Sequence, residues 1–168
     1  SPQTLRLSSL VLLILAGAAT IAAAWGFQLI GGYVPCKLCL EQRVPYYAGL
    51  PLALLALGLM ARGSAGALTS LLLLLVAGIF AYGSGLGIYQ AGAEWGFWPG
   101  PSDCGGGTAA PTSAGDLLNA LSNTRVVSCT EASWRMLGLS FAGWNAVASG
   151  AIAVLALVAL MAHRRAET

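Results

Sequence analysis

The sequence predicts an all-α integral membrane protein, a four-helix bundle with a long outer loop that carries short amphipathic helices. Three observations predict it. Of 168 residues, 57% are apolar and only 8% charged, whereas a soluble domain carries roughly a quarter charged residues. The apolar residues gather in four blocks without Lys, Arg, Asp or Glu, each close to the roughly 20 residues a helix needs to cross a bilayer core. All four cysteines lie between these blocks. Such a composition excludes a disordered chain, and a net charge of +2 is too small for the basic surface of a nucleic-acid binder.

The spans are read at about 10–28, 44–60, 68–89 and 141–161, in a single domain over 1–168. Arg6 and the small residues Ala22, Ala23 and Ala24 around the first block also suit a secretory signal. Its apolar run exceeds a signal core, so it is read as a span. The second block is short and holds Pro45 and Pro51; a helix begun near Cys36 would kink at Pro45. The third and fourth are continuous runs rich in Leu, Ala, Val and Gly. No internal repeat is found.

Four spans put both termini on one side and the loops 31–43 and 90–140 on the other. Lys and Arg divide evenly, with Arg6, Arg62, Arg164 and Arg165 on the terminal side and Lys37, Arg43, Arg125 and Arg135 on the loop side. Charges in long loops weigh little, which favours cytoplasmic termini. The cysteines agree, because all four fall on the loop side, as expected if that side is oxidising.

In the long loop, Trp95, Phe97 and Trp98 followed by Pro99, Gly100 and Pro101 read as an interfacial aromatic cluster entering a turn. A glycine-rich stretch over 105–115 follows. Asp116 is expected to cap a short amphipathic helix through Leu117, Leu118 and Leu121. The run Trp134, Met136, Leu137, Leu139 and Phe141 is expected along the membrane surface. Glu94 reads as solvated, and His163, beside Arg164 and Arg165, as part of a basic end.

Cys36 and Cys39 form a Cys-X-X-Cys pair directly after Pro35, a residue that suits a helix start. A cysteine at a helix N-terminus has its thiolate stabilised. At roughly 100° per residue, Cys36, Cys39 and Arg43 fall within about 60° of one another on one helix face. Arg43 is therefore a cation for a thiolate or a reduced cofactor, or only an interfacial anchor. Zinc is disfavoured because the one His, His163, lies at the far end; no metal site is expected. Leu40 after Cys39 excludes haem attachment. Cys104 and Cys129 enclose 24 residues and read either as a loop staple worth roughly 3–4 kcal/mol or as an exchange disulfide. Two such pairs, one on the loop and one at the membrane boundary, would relay electrons. The chain lacks a glycine-rich dinucleotide loop, so a lipid-soluble quinone is the terminal acceptor left by elimination.

The run Pro35-Cys36-Lys37-Leu38-Cys39-Leu40-Glu41-Gln42-Arg43, the four spans and the loop with Cys104 and Cys129 resemble the bacterial disulfide bond formation protein B family. The segment Glu94-Trp95-Gly96-Phe97-Trp98-Pro99-Gly100-Pro101 is similar to the family's loop as well. The resemblance implies a bacterial inner-membrane enzyme with its cysteine loops in the periplasm. It would reoxidise a periplasmic dithiol oxidase, a DsbA-like protein, and pass two electrons to ubiquinone or menaquinone. By position, Cys104 would be attacked by the partner's thiolate, Cys129 would attack Cys36, and Cys39 would be freed against the quinone. Arg43 matches the family's quinone-site arginine. Where members often carry His near the outer end of the third span, this chain has Gln90 and Ala91, which makes Gln90 a hydrogen-bonding substitute. Trp95 is read first as an interface anchor and second as a quinone contact. A quinone-epoxide-reductase-like enzyme ranks lower because its redox pair follows the loop cysteines. A structural membrane protein with inert disulfides is the non-enzymatic alternative.

Overall fold

The computed structural model describes residues 1–63, 66–101, 113–123, 125–126 and 128–168. Helices α1 (Pro2–Leu29), α2 (Lys37–Glu41), α3 (Val44–Ala61), α4 (Ala67–Glu94), α5 (Ala114–Asn123) and α6 (Phe141–Glu167) follow in order, with four two-residue strands between them. Among the described residues, four segments are long and apolar enough to cross a membrane, α2 and α3 counting as one, so the protein is an all-α membrane bundle.

Three helices outrun the apolar blocks that predicted them, because backbone hydrogen bonding continues where apolarity stops. Thus α1 begins at Pro2, capped by the Ser1 hydroxyl, which accepts from Thr4 N–H at 3.4 Å. In α6 the helix continues to Glu167. In α4 it reaches Glu94, so Gln90, expected as the first loop residue, is a helical one. Gly96 then takes φ +75°; its N–H bonds to Ala93 O and that of Phe97 to Gly92 O, a Schellman stop that requires a residue without Cβ strain. Pro45, where a kink is expected, follows an interruption of the helix. It sits in the first turn of α3, after a break at Gln42 and Arg43, where its missing N–H is no loss.

Close approach of α4 and α6 rests on small residues. A Cβ on Gly87 would lie 2.8 Å from Ala142 O and 2.7 Å from Ala146 N, and Ser84 donates to Ala146 O at 2.8 Å. Leu10, Leu13, Leu73, Val76, Phe80 and Ile152 fill the bundle centre. Leu12, Leu15, Leu54, Leu71, Leu74 and Val154 are exposed on its outside, where lipid replaces water. At the terminal end His163, read as part of a basic end, is fully buried. Its Nδ1 lies 3.2 Å from Arg6 Nη1 and its Nε2 3.5 Å from Glu167.

Above the spans, β1 (Tyr33–Val34) pairs in parallel with β2 (Arg125–Val126), and β3 (Arg135–Met136) pairs antiparallel with β4 (Leu139–Ser140). The run after Cys129 therefore holds a hairpin. Leu137 at φ 53° and Gly138 at φ 85° form its two-residue turn, the left-handed pair that matches strand twist. The cap of α5 is Ser113, not Asp116: Asp116 N–H donates to Ser113 Oγ at 3.1 Å, and Ser113 Oγ donates back to Asp116 Oδ2 at 2.7 Å. Leu121 and the glycine stretch through 112 lie outside the described side chains and residues.

Candidate active site

Cys36 is the N-cap of α2, its Sγ accepting from Cys39 N–H at 3.2 Å, so the pair occupies a helix start as the sequence indicates. Both are free thiols; Cys129 is disulfide-bonded. Pairing of β1 with β2 returns the chain to the bundle just before Cys129. Cys36, Leu38 and Cys129 then form one buried cluster, with Cys39 and Leu86 against it. Cys36 donates towards the Cys39 sulfur and is buried, and both effects push its thiol above the ordinary range.

Cys39 faces the other way, into a cavity of about 540 Å³. The walls are contributed by α1, α3 and α6, with Phe27, Tyr33, Trp134 and Phe141 at the cysteine end. These rings hold one another in place: Trp134 stacks on Phe141 at 4.8 Å, and Phe27 meets Phe141 edge-on at 4.9 Å. The lining is mostly apolar, and its polar side chains include Gln42, Arg43, Tyr46, Gln90 and Asn145.

Arg43 is buried, donating to Gln28 Oε1 at 2.7 Å and to Ala24 O at 3.5 Å, with its guanidinium 5.1 Å from the Trp25 ring. The helix break before α3 turns it towards α1. Gln90, also buried, places Nε2 3.8 Å from Cys36 Sγ and 3.7 Å from Cys39 Sγ. The same nitrogen lies 3.4 Å from Glu94 Oε1. Glu94 is thus no solvated carboxylate: the Schellman stop keeps it on α4, half-buried, with Oε2 buried and unpartnered. Trp95 is half exposed and outside the cavity lining. Cys104 lies outside the described residues.

The model of the family described as "Disulfide bond formation protein DsbB" matches residues 6–159. The chain belongs to the disulfide bond formation protein B family. It is 31% identical over 164 residues to the disulfide bond formation protein B of Marinobacter nauticus, covering 90% of this chain and 89% of the relative. It is 30% identical over 156 residues to that of a Polaromonas species, with 89% and 87% covered. No solved structure matches the chain. Membership makes this a membrane protein of disulfide bond formation, and all four cysteines fall inside the matched range.

Within this disulfide bond formation protein B fold, Cys39, Arg43 and Gln90 line one cavity, and Gln90 Nε2 faces the sulfurs of both Cys39 and Cys36. The structure also reveals residues that sequence reading missed. Asn145 donates to Gln42 Oε1 at 2.7 Å, and Gln42 donates to Gln90 Oε1 at 2.5 Å. Tyr46 donates to Asn145 Oδ1 at 2.8 Å and lies 3.0 Å from Ser149 Oγ. A signal was present: polar side chains inside spans are functional candidates even when uncharged, and Asn145 and Ser149 lie one helical turn apart.

Proposed function

We propose that this protein is a protein-dithiol:quinone oxidoreductase that reoxidises a periplasmic DsbA-like dithiol oxidase from the bacterial inner membrane. Its termini lie in the cytoplasm and its cysteine loops in the periplasm. One observation carries the reading: Cys36 is buried with Cys129 on one side, while its partner Cys39 lines an apolar cavity on the other.

The electrons balance along that path. A thiolate of the reduced partner attacks Cys104 in a Cys104–Cys129 disulfide, forming a mixed disulfide and releasing Cys129 as thiolate. The partner's second thiol resolves the mixed disulfide, leaving the partner oxidised and Cys104 reduced. Cys129 attacks Cys36 of the Cys36–Cys39 disulfide and frees Cys39; Cys104 then recloses on Cys129. The net result is a Cys36/Cys39 dithiol beside a bonded Cys129, the oxidation state described above. Exchange of this kind needs an attacking thiolate and access to the sulfur it attacks.

Ubiquinone or menaquinone, when bound, supplies a two-electron, two-proton acceptor. Apolar walls with a few convergent polar groups fit such a ligand. Arg43 would hold a ring oxygen with a fixed cation, Gln90 would donate beside the sulfurs, and Cys39 would present the reacting sulfur. The aromatic group of Phe27, Trp134 and Phe141 would exclude water from the cysteine end.

The test is stoichiometry. Purified protein in nanodiscs, given a reduced DsbA-like dithiol protein and a soluble quinone analogue, should form one partner disulfide per quinol. Absence of quinone reduction overturns the reading.

A further inference from the structure

The hydrogen bonds from Tyr46 to the cysteines run head to tail. Tyr46 O–H donates to Asn145 Oδ1, Asn145 Nδ2 to Gln42 Oε1, Gln42 Nε2 to Gln90 Oε1, and Gln90 Nε2 faces both sulfurs. An amide can be turned end for end, so its direction must be fixed by neighbours. Here both ends fix it. Glu94 Oε1 is an acceptor beside Gln90 Nε2, while the Tyr46 and Ser149 hydroxyls both donate to Asn145 Oδ1. Reversing any one amide would set two carbonyl oxygens or two N–H groups against each other inside the bundle, leaving buried polar groups unpaired at a cost. The chain crosses from α6 through the α2–α3 break to α4, so no single helix accounts for it.

We infer that Gln42, Asn145 and Tyr46 are positioning residues that hold the Gln90 amide with its N–H groups towards Cys36 and Cys39, and thereby raise the reduction potential of that pair. This rests on the proposed redox role of the pair. The physical ground is that a thiol or thiolate sulfur accepts a hydrogen bond more strongly than a disulfide sulfur does, so an inward-facing donor stabilises the reduced form. A couple with a stabilised reduced form is a stronger oxidant. The Cys36–Cys39 disulfide would then draw electrons more readily from Cys129. Neutral amides would serve where the family often has His: they supply an oriented dipole at the sulfurs without titrating.

The experiment equilibrates quinone-free full-length protein in nanodiscs with a graded thiol–disulfide buffer and reads the Cys36/Cys39 state by alkylation and mass spectrometry. Asn145→Leu and Asn145→Ser both remove the donor to Gln42 Oε1, so that Glu94 alone is left to fix the direction of the Gln90 amide. Each should shift the equilibrium about tenfold towards the disulfide, a fall of about 30 mV for a two-electron couple. Asn145→Ser keeps a polar group of small volume and decides the matter if the Leu variant does not fold. A potential within twofold of the original equilibrium, or a rise, in a folded variant overturns the inference. Loss of quinone reduction by the unaltered protein would instead overturn the proposed function, and the potential measurement would still decide the role of the amides.

Discussion

Arg43 reaches from the start of α3 to α1 and donates to Gln28 Oε1 at 2.7 Å. The bond ties the two helices at the cavity where Cys39 opens, so Arg43 both lines the site and holds its wall. Arg43→Met should therefore do two things. Losing a hydrogen bond from a buried charged group costs about 1.5–3 kcal/mol, seen as a lower unfolding midpoint in detergent. The quinone KM should rise by roughly tenfold, about 1.4 kcal/mol of binding. Gln28→Ala separates the effects, since it should lower stability while leaving the guanidinium in place. An unchanged KM in Arg43→Met would remove it from the quinone site.

Cys36 and Cys129 share one buried cluster, so a Cys39→Ser variant should trap the bond between them. In that variant the Cys36 thiol has no partner on α2, and it can attack Cys129 in the proposed Cys104–Cys129 disulfide, leaving Cys104 as the free thiol. No added oxidant is needed. Non-reducing peptide mapping should recover the Cys36–Cys129 linkage as the main species. If the variant keeps Cys36 wholly free, the internal transfer proposed above does not use this contact.

How much was legible in advance follows from what kind of signal each feature leaves. Four spans were legible because bilayer thickness imposes a length and an apolarity that local sequence must meet. Cys36 at a helix start was legible from Pro35 and the pair spacing. The hairpin at Leu137 was not: Leu is an unfavourable residue at positive φ, and its apolar neighbours read as a run along the membrane surface. Glu94 was read as solvated because its burial depends on a stop at Gly96 and on Gln90 from the preceding turn. The Gln42, Tyr46 and Asn145 chain joins residues about 100 positions apart, and no local pattern encodes such a contact. Treating only charged residues as noteworthy inside the spans hid it further.

At Gly87 α4 and α6 approach closely, a Cβ there falling 2.8 Å from Ala142 O. Backbone cannot move aside as a side-chain tip can. Gly87→Ala should cost about 1–3 kcal/mol, the usual range for overpacking, and Gly87→Leu should prevent folding. Gly78→Ala on the same helix, where an added Cβ meets nothing within 4 Å, should not destabilise, and should gain up to about 1 kcal/mol from helix propensity. Thermal unfolding of both Ala variants in one detergent checks the contrast; equal midpoints would contradict the close packing.

The Cys36 thiol is held above its ordinary range by its hydrogen bond towards Cys39 and by burial. The sign for reactivity follows directly. Only the thiolate is alkylated, and a raised value keeps Cys36 protonated as pH climbs through the window where a free cysteine ionises. Iodoacetamide should therefore modify Cys36 at least tenfold more slowly than a free peptide thiol at pH 8.5, with the rate still rising at pH 10 instead of reaching a plateau. Rates followed by mass spectrometry of the 33–43 peptide, in protein whose Cys129 remains bonded, decide this. A plateau below pH 9 in the unaltered protein would mean that Cys36 is the ionised member of the pair.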